Sequence, residues 1–199
     1  SGAGSSSQVL IADRSDGHRW AITAGTDGRV GFTDAATGEQ LLAPLELSRP
    51  IRSTPTLDPD GYPLLYLGGD DGVLRVVALD RGGSPDELWA MRSSSVNPSQ
   101  WGTNWNGSPL LRDDLLVIGG GNSNLHLVKL NRARDGDGRV TVDPQLVAAI
   151  PTWDDRLAED LGDRETGVDA SVTLSGNTAW VVNGGGLLTG WDLSPLDWG

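Results

Sequence analysis

The sequence predicts an all-β fold made of repeated four-stranded antiparallel units, and three observations support this prediction. Short apolar segments alternate with turns rich in Gly, Asp and Asn along the 199 residues, which include 28 Gly and 11 Pro. Asp-Gly pairs between two apolar segments indicate hairpins, because such turns require residues with positive φ. In addition, one order of segments recurs at roughly 50-residue intervals, which suits a four-stranded unit.

The recurring pattern begins with a short apolar segment, often opened by Ser/Thr-Pro. A polar turn leads to an apolar strand ending in glycines, and a further apolar strand follows. The clearest copy contains the turns Asp58-Pro59-Asp60-Gly61 and Gly69-Asp70-Asp71-Gly72. Copies of the pattern lie at 20–39 (a partial copy), 53–80, 107–131 and 170–193. Apolar segments that we expect to be outer fourth strands lie at 40–47, 87–92 and 145–150.

These repeats divide the chain into four predicted units after a flexible tail at residues 1–7, which has the Gly/Ser composition of a linker. The units lie at approximately 8–47, 48–96, 97–150 and 151–199, and the last copy of the pattern stops after its third strand. A helix is predicted only at 154–161, where Leu157 and Leu161 are spaced i, i+4; the segment is short and acidic, so we expect one or two turns.

The composition argues against several classes of function. The formal net charge is −12 and Lys129 is the single lysine, so the surface repels nucleic-acid phosphates and anionic membranes. The sequence has no apolar stretch long enough for insertion into a membrane. It contains no cysteine, which excludes disulfides, thiolate metal sites and cysteine nucleophiles.

The copies resemble the repeats of the pyrroloquinoline quinone (PQQ)-like β-propeller superfamily. The family's glycine-rich Asp-Gly turn, followed by a strand ending in Leu-Asp and then Thr-Gly-Lys/Glu, matches Asp27-Gly28 through Thr37-Gly38-Glu39 and, in part, Gly69 through Asp80. The resemblance covers residues 18–194. It implies a β-propeller of four-stranded antiparallel blades, with about four blades in this chain as part of a seven- or eight-bladed ring. A missing segment or a second chain would complete such a ring, unless the blades close on themselves as a small four-bladed propeller.

The superfamily includes quinone-dependent alcohol and sugar dehydrogenases as well as cofactor-free members, among them an outer-membrane assembly lipoprotein and extracellular sensor domains. The resemblance implies that a dehydrogenase would hold calcium with acidic and amide side chains, use an aspartate base and place a vicinal disulfide over PQQ. Because this chain has no cysteine, it lacks that disulfide. We therefore expect no cofactor, and PQQ with calcium belongs only to the alternative function.

Three polar residues stand at equivalent positions just before the innermost strands of their repeats: Arg52, Asn106 and Asp169. Innermost strands lie nearest the central channel of a propeller, so these side chains are predicted to converge at its mouth. Such a ring would bind a small polar ligand or a peptide end. In the structural alternative, they form hydrogen bonds with neighbouring blades around a water-filled channel.

The stretch Trp101-Gly102-Thr103-Asn104-Trp105-Asn106 is the most unusual in the sequence. Trp101, Asn104 and Trp105 are predicted ligand-binding residues, because aromatic and amide groups together can stack on and hydrogen-bond a sugar or planar cofactor. In the structural alternative, the tryptophans pack between blades as wedges. Tryptophans within strand patterns, predicted to lie in the core, are Trp20, Trp89 and Trp180.

Other motifs give no catalytic or metal site. The segment 135–143 resembles part of a calcium loop, but Ala133 and Pro144 occupy two required ligand positions, so a hairpin tip is predicted instead. His18 and His126, the only histidines, have no recognisable triad pattern around them.

We therefore expect a non-catalytic binding or scaffolding module of the cell envelope or extracellular space that recognises a protein or glycan at the channel face. The alternative is part of a PQQ-dependent alcohol or sugar dehydrogenase. A third possibility is a carbohydrate-acting enzyme that uses paired acids which the sequence does not locate.

Overall fold

The strands of the protein follow the predicted repeat. The computed structural model describes residues 8–14, 17–96, 101–162 and 166–195. Its strands are β1 (Gln8–Asp13), β2 (Arg19–Ala24), β3 (Arg29–Asp34), β4 (Gln40–Glu46), β5 (Thr56–Leu57), β6 (Leu64–Gly68), β7 (Val73–Ala78), β8 (Asp86–Arg92), β9 (Leu110–Arg112), β10 (Leu115–Gly119), β11 (Asn124–Lys129), β12 (Ala133–Arg134), β13 (Val140–Thr141), β14 (Gln145–Pro151), β15 (Thr173–Ser175), β16 (Thr178–Val182) and β17 (Leu188–Asp192). A 3-10 turn covers Ser93–Ser95, and helix α1 covers Asp155–Leu161.

Among the described residues, four antiparallel sheets of three or four strands succeed one another, and we call them blades 1 to 4. Blade 1 has the order β1-β2-β3-β4, blade 2 the order β5-β6-β7-β8 and blade 3 the order β9-β10-β11-β14. Blade 4 has the order β15-β16-β17 among the described residues. The small hairpin β12-β13 protrudes from blade 3 and carries the predicted hairpin tip at 135–138. The prediction of an all-β fold of four-stranded antiparallel blades is confirmed.

The turn between the second and third strands has the same geometry in every blade. Its fourth residue donates a backbone hydrogen bond to its first: Gly28 to Gly25, Gly72 to Gly69, Ser123 to Gly120 and Gly186 to Asn183. The fourth residue has a φ of 82°, 75°, 58° and 84° in blades 1 to 4, which explains why glycine occupies three of these positions. The repeated Asp-Gly signal in the sequence corresponds to this turn.

Within the described part of the chain, three apolar cores lie between successive blades. Trp20, Ile22 and Phe32 of blade 1 pack against Leu65 and Leu67 of blade 2. Equivalent cores join blades 2 and 3 and blades 3 and 4. Strands β6 and β7 are buried along their whole length, whereas β2 and β3 alternate between buried and more accessible residues. Blades 2 and 3 are therefore covered on both faces, and blade 1 on one.

The segment that enters each new blade is tied to two blades at once. The N–H groups of Ile51, Trp105 and Val168 donate to the carbonyl of the first turn residue in the preceding blade, at 3.1, 3.2 and 3.0 Å. The carbonyls of the residues immediately before them accept from the second turn residue of their own blade, at 2.9, 2.7 and 2.8 Å. These paired bonds, which we call interblade bridges, fix the height of each innermost segment along the channel.

Two details differ from the sequence predictions. Blade 1 is a complete four-stranded sheet, although only a partial copy is recognisable, because no Ser/Thr-Pro opens β1. Trp180 was predicted to lie in the core but is 43% exposed, because no described blade covers its side of blade 4. The short predicted helix is present as α1, which begins after the Asp154 cap and ends at Leu161, with Gly162 as its C-cap. No helix in the described part of the chain is long and apolar enough to cross a bilayer.

Candidate functional site

The interblade bridges place Arg52, Asn106 and Asp169 at equivalent positions, because each directly follows a bridging N–H donor. The Asn106 Nδ2 atom donates to Asp169 Oδ1 at 3.0 Å, which joins blades 3 and 4. Arg52 instead donates from Nε to Asp70 Oδ2 of its own blade at 2.8 Å. Two of the three predicted residues therefore form a hydrogen bond with each other, while the third bonds within its own blade. Their role in binding a ligand stays a prediction.

A polar cleft of about 640 Å³ lies where blades 2 and 3 adjoin. Its lining residues are Arg49, Pro50, Arg52, Asp70, Gly102, Thr103, Asn104 and Asn106. The Arg52 side chain is 55% exposed, whereas its partner Asp70 is 23% exposed. Arg49 is also exposed. The cleft thus offers two guanidinium groups, one carboxylate that is already paired, and two amide side chains.

Asn104 is held against the backbone of blade 3. Its carbonyl accepts the Gly121 N–H at 2.7 Å as part of an interblade bridge. A Cβ atom placed on Gly121 would lie 2.0 Å from Asn104 Oδ1, so only glycine at position 121 leaves room for the amide. The position of this cleft residue is therefore fixed by the turn of blade 3.

Trp105 does not line the cleft, contrary to the predicted ligand-binding role. Its side chain is fully buried, and its Nε1 atom donates to the Gly72 carbonyl at 2.9 Å. The indole also packs edge-on against His126, with ring centroids 4.7 Å apart. Trp105 is a wedge between blades 2 and 3, because its apolar area is worth more in the core than at a wet channel mouth.

Trp101 pairs with a tryptophan that the sequence analysis did not single out. The rings of Trp101 and Trp153 meet edge to face, with centroids 5.6 Å apart and planes at 76°. Trp101 has a φ of 61°, which turns its side chain away from the path of a regular strand. Both side chains are half-buried, so the pair presents only part of its rings to solvent.

His126 belongs to a buried polar group rather than to a catalytic one. The Asn122 Nδ2 atom donates to the Ser93 carbonyl at 3.0 Å and lies 3.1 Å from His126 Nε2. Since an amide nitrogen only donates, Nε2 is the acceptor and the ring is neutral. Burial lowers the pKa of His126 to about 4. The side chain is fully buried, so it cannot reach a substrate in the cleft.

A second buried network, centred on Arg132, was not detectable from the sequence. Its guanidinium donates to Asp58 Oδ2 at 2.6 Å, to Asp60 Oδ2 at 2.9 Å and to Asp114 Oδ1 at 2.9 Å. Asp58 also accepts from the Tyr66 hydroxyl at 2.7 Å. Burial opposes the charge on Arg132, but the three carboxylates raise its pKa above the ordinary value. This network ties the turn between β5 and β6 of blade 2 to blade 3.

The described residues contain no group of three or more His, Cys, Asp or Glu side chains that could hold a metal ion. In the segment that resembles a calcium loop, Asp135 Oδ1 accepts the N–H groups of Asp137 and Arg139 at 3.0 and 2.9 Å. That carboxylate therefore closes the hairpin tip, as the sequence analysis predicted.

No protein-family profile matches the chain, and no curated protein matches it. The chain is, however, similar in structure to solved proteins. BamB from Moraxella catarrhalis is 15% identical, with a TM-score of 0.61 over 94% of this chain and 47% of that one. The computationally designed Ika4 protein is 13% identical, with a TM-score of 0.59 over 98% of this chain and 95% of that one. The Cps50 (Swd1) β-propeller domain of Myceliophteria thermophila is 15% identical, with a TM-score of 0.57 over 94% of this chain and 54% of that one.

The sheets, the interblade cores and these likenesses define the class of the protein: it is an array of β-propeller blades. At this level of identity the likeness shows the fold alone. The chain spans about half the length of the BamB and Swd1 structures that it matches, at 47% and 54%.

Proposed function

We propose that this chain is a non-catalytic binding or scaffolding module of the cell envelope or extracellular space, whose cleft recognises a polar, carboxylate-bearing segment of a protein partner. The cleft between blades 2 and 3 carries the proposal. Arg49 and Arg52 are exposed there beside the amides of Asn104 and Asn106. The planar fork of arginine suits carboxylates, and an asparagine side chain can pair with a peptide group. The assignment to the envelope or exterior rests on the family resemblance of the repeats.

A protein partner fits this cleft better than a glycan. Recognition of a sugar ring usually requires an exposed aromatic face next to polar groups. Trp105, one of the two predicted stacking residues, is fully buried, and the other, Trp101, packs against Trp153. What remains on the cleft wall is charged and amide chemistry, which suits an extended peptide or loop.

The quinone-dependent alternative has less support from the residues at the channel mouth. Asp169 accepts a hydrogen bond from Asn106, and Asp70 accepts one from Arg52. One oxygen of each acid therefore already accepts from a protein donor, and the described residues contain no group of three or more His, Cys, Asp or Glu side chains that could hold calcium. The chain also has no cysteine for the disulfide that the resemblance associates with PQQ.

The test is selection of ligands from a phage-displayed library of random peptides on the wild-type chain, followed by titration of the enriched peptides. We expect them to contain Asp, Glu or a free carboxyl end. The double variant Arg49→Ala/Arg52→Ala should weaken their binding by at least about 10-fold, because each lost charge-assisted bond removes more than 1 kcal/mol.

The matched control is Arg139→Ala/Arg156→Ala, which removes two exposed arginines outside the cleft and changes the net charge equally. This variant should bind the peptides like the wild type. Enriched peptides that bind both double variants equally well would show that the cleft is not the site. Oxidation of alcohols or sugars by the chain with added PQQ, calcium and an acceptor dye would show that the non-catalytic assignment is wrong.

A further inference from the structure

The two ends of the blade array expose apolar faces that correspond to faces buried inside it. Blade 4 exposes Trp180, Val182 and Leu188, which are 43%, 39% and 63% accessible. Blade 1 exposes Val9 and Ile11, which are 54% and 53% accessible. Scattered apolar residues on a surface need no explanation, but a contiguous apolar face at each end of an array does.

The exposed face of blade 4 corresponds, position by position, to the faces of blades 1 to 3 that the following blade covers. Leu188 lies two residues after the fourth residue of its turn. Val30, Leu74 and Leu125 have the same position in blades 1 to 3, and the following blade buries all three completely. Trp180 pairs with Gly190 and Val182 pairs with Leu188 across β16 and β17, so these side chains share one side of the sheet. We call this the front face of blade 4.

The exposed face of blade 1 corresponds to the opposite side of the sheet, which faces the preceding blade in blades 2 to 4. Val9 pairs with Thr23 and Ile11 with Ala21, so the four share what we call the rear face of blade 1. Residues that correspond to Ile11 in blades 2 to 4 pack into the core shared with the preceding blade: Leu57, Leu111 and Leu174. The rear face is thus built to meet the front face of a preceding blade.

The two exposed faces are complementary in size. The front face of blade 4 carries the large side chains of Trp180 and Leu188, whereas small residues line β2 and β3 on the rear side of blade 1. A hollow of about 310 Å³ lies at Thr23, Gly31 and Thr33 on that side. Core packing favours a large side chain opposite small ones, because voids and clashes both cost stability.

We propose that two copies of this chain associate head to tail, the front face of blade 4 of each copy seating on the rear face of blade 1 of the other. A front face and a rear face are both present on every copy, so a pair of copies makes two identical contacts and leaves neither face open. Each contact continues the packing that already joins blades 1 to 2, 2 to 3 and 3 to 4. The result is a closed ring of eight blades.

The experiment is a molar-mass measurement by light scattering and native mass spectrometry on the 199-residue chain over micromolar to high micromolar concentrations. We expect a mass of two chains. Leu188→Asp and Ile11→Asp should each raise the dimer dissociation constant by at least about 100-fold, because each places a charge in an apolar contact. The matched control is Leu146→Asp, since Leu146 is 41% exposed on the outer strand of blade 3 and should leave the dimer intact.

Mixing the two interface variants distinguishes front-to-rear from front-to-front association. The Ile11→Asp copy retains its front face and the Leu188→Asp copy retains its rear face, so a mixed pair regains one unmodified contact. We expect mixed dimers in a mixture of the two and monomers in each alone, with unchanged circular dichroism. A single-chain mass for the wild type, an assembly of any other size, or a dimer unaffected by both variants overturns the proposal. None of these results bears on the peptide-binding cleft, which lies between blades 2 and 3 of one chain.

Discussion

The indole N–H of Trp105 donates a hydrogen bond across the interface between blades 2 and 3 to the carbonyl of Gly72, 2.9 Å away. The same side chain lies directly over β6, where a Cβ atom on Gly68 would be 2.3 Å from Trp105 Cβ. Trp105 also carries the backbone N–H of an interblade bridge to Gly69. One residue therefore sets both the spacing and the register of two blades.

Gly68→Ala should destabilise the protein by about 2–4 kcal/mol, because the added methyl group overlaps a buried side chain that is held on both sides. Urea unfolding followed by circular dichroism measures the change. Gly83→Ala is the matched control, since no atom lies within 4 Å of a Cβ at that exposed turn. Equal stability of the two variants would contradict the tight contact between Gly68 and Trp105.

Trp105→Phe should cost about 1–3 kcal/mol, since it removes the bond to Gly72 and part of the buried ring. The loss is limited because the Gly72 carbonyl also accepts the Ser93 N–H at 3.1 Å. The comparison is Trp191→Phe, where the lost N–H bond goes to Thr189 Oγ1 at a half-buried site. That variant should change the free energy of unfolding by less than about 1 kcal/mol.

Arg132→Ala should destabilise the protein by about 3–5 kcal/mol, because it leaves the buried carboxylate of Asp58 without its cation. The side chains of Arg132 and Asp58 are 5% and 0% exposed, so solvent cannot replace the lost interaction. Arg139→Ala removes an exposed arginine of the neighbouring hairpin and should change stability by no more than about 0.5 kcal/mol. Thermal unfolding of both variants in parallel provides the measurement, and similar midpoints would rule out a structural role for this network.

His126 should make the protein less stable in mild acid. Its pKa is about 4 in the folded chain because of burial, against 6.5 as the ordinary value. The unfolded chain therefore binds a proton that the folded chain does not, so stability is fully present above pH 6.5 and falls as the pH drops toward 4. The fall is roughly 3 kcal/mol at most.

Urea unfolding at several pH values between 7 and 4.5 checks this dependence. His126→Phe keeps a ring against Trp105 but cannot titrate, so its stability should change much less over that interval. His18→Gln, which alters the other histidine and its 2.7 Å contact with Asp34 Oδ2, should still lose stability as the pH falls. The same fall in His126→Phe would assign the effect to another group.

The repeat in the sequence was sufficient to predict the blades, because each one depends on the same local turn chemistry. It also predicted that Arg52, Asn106 and Asp169 occupy equivalent positions, since equal turns impose equal hydrogen bonds on the segments that follow. Their different partners could not be predicted. Whether Arg52 meets Asp70 or a residue across the channel depends on side-chain packing, not on register.

Features that depend on distant pairs were missed. Arg132 and Asp58 are 74 residues apart in sequence, and each alone has the pattern of an exposed loop residue. Trp105 and Trp101 have the same composition around them, yet one is fully buried and the other half-buried, because the interblade bridge turns only Trp105 into the core. The sequence around Trp180 predicts a core strand and says nothing about which blade covers it.

The interblade bridges also bear on how the chain unfolds. Each blade shares backbone hydrogen bonds with its neighbour, so the blades behave as a one-dimensional array with coupling between adjacent units. Strands β6, β7, β10 and β11 have a neighbour on both sides, whereas β1 and β17 belong to units with one. In a single chain, amide hydrogen exchange should therefore proceed inward from both termini, with the slowest protons at the centre of the sequence. Closing the array into a ring would remove this gradient, because a ring has no ends from which fraying can begin.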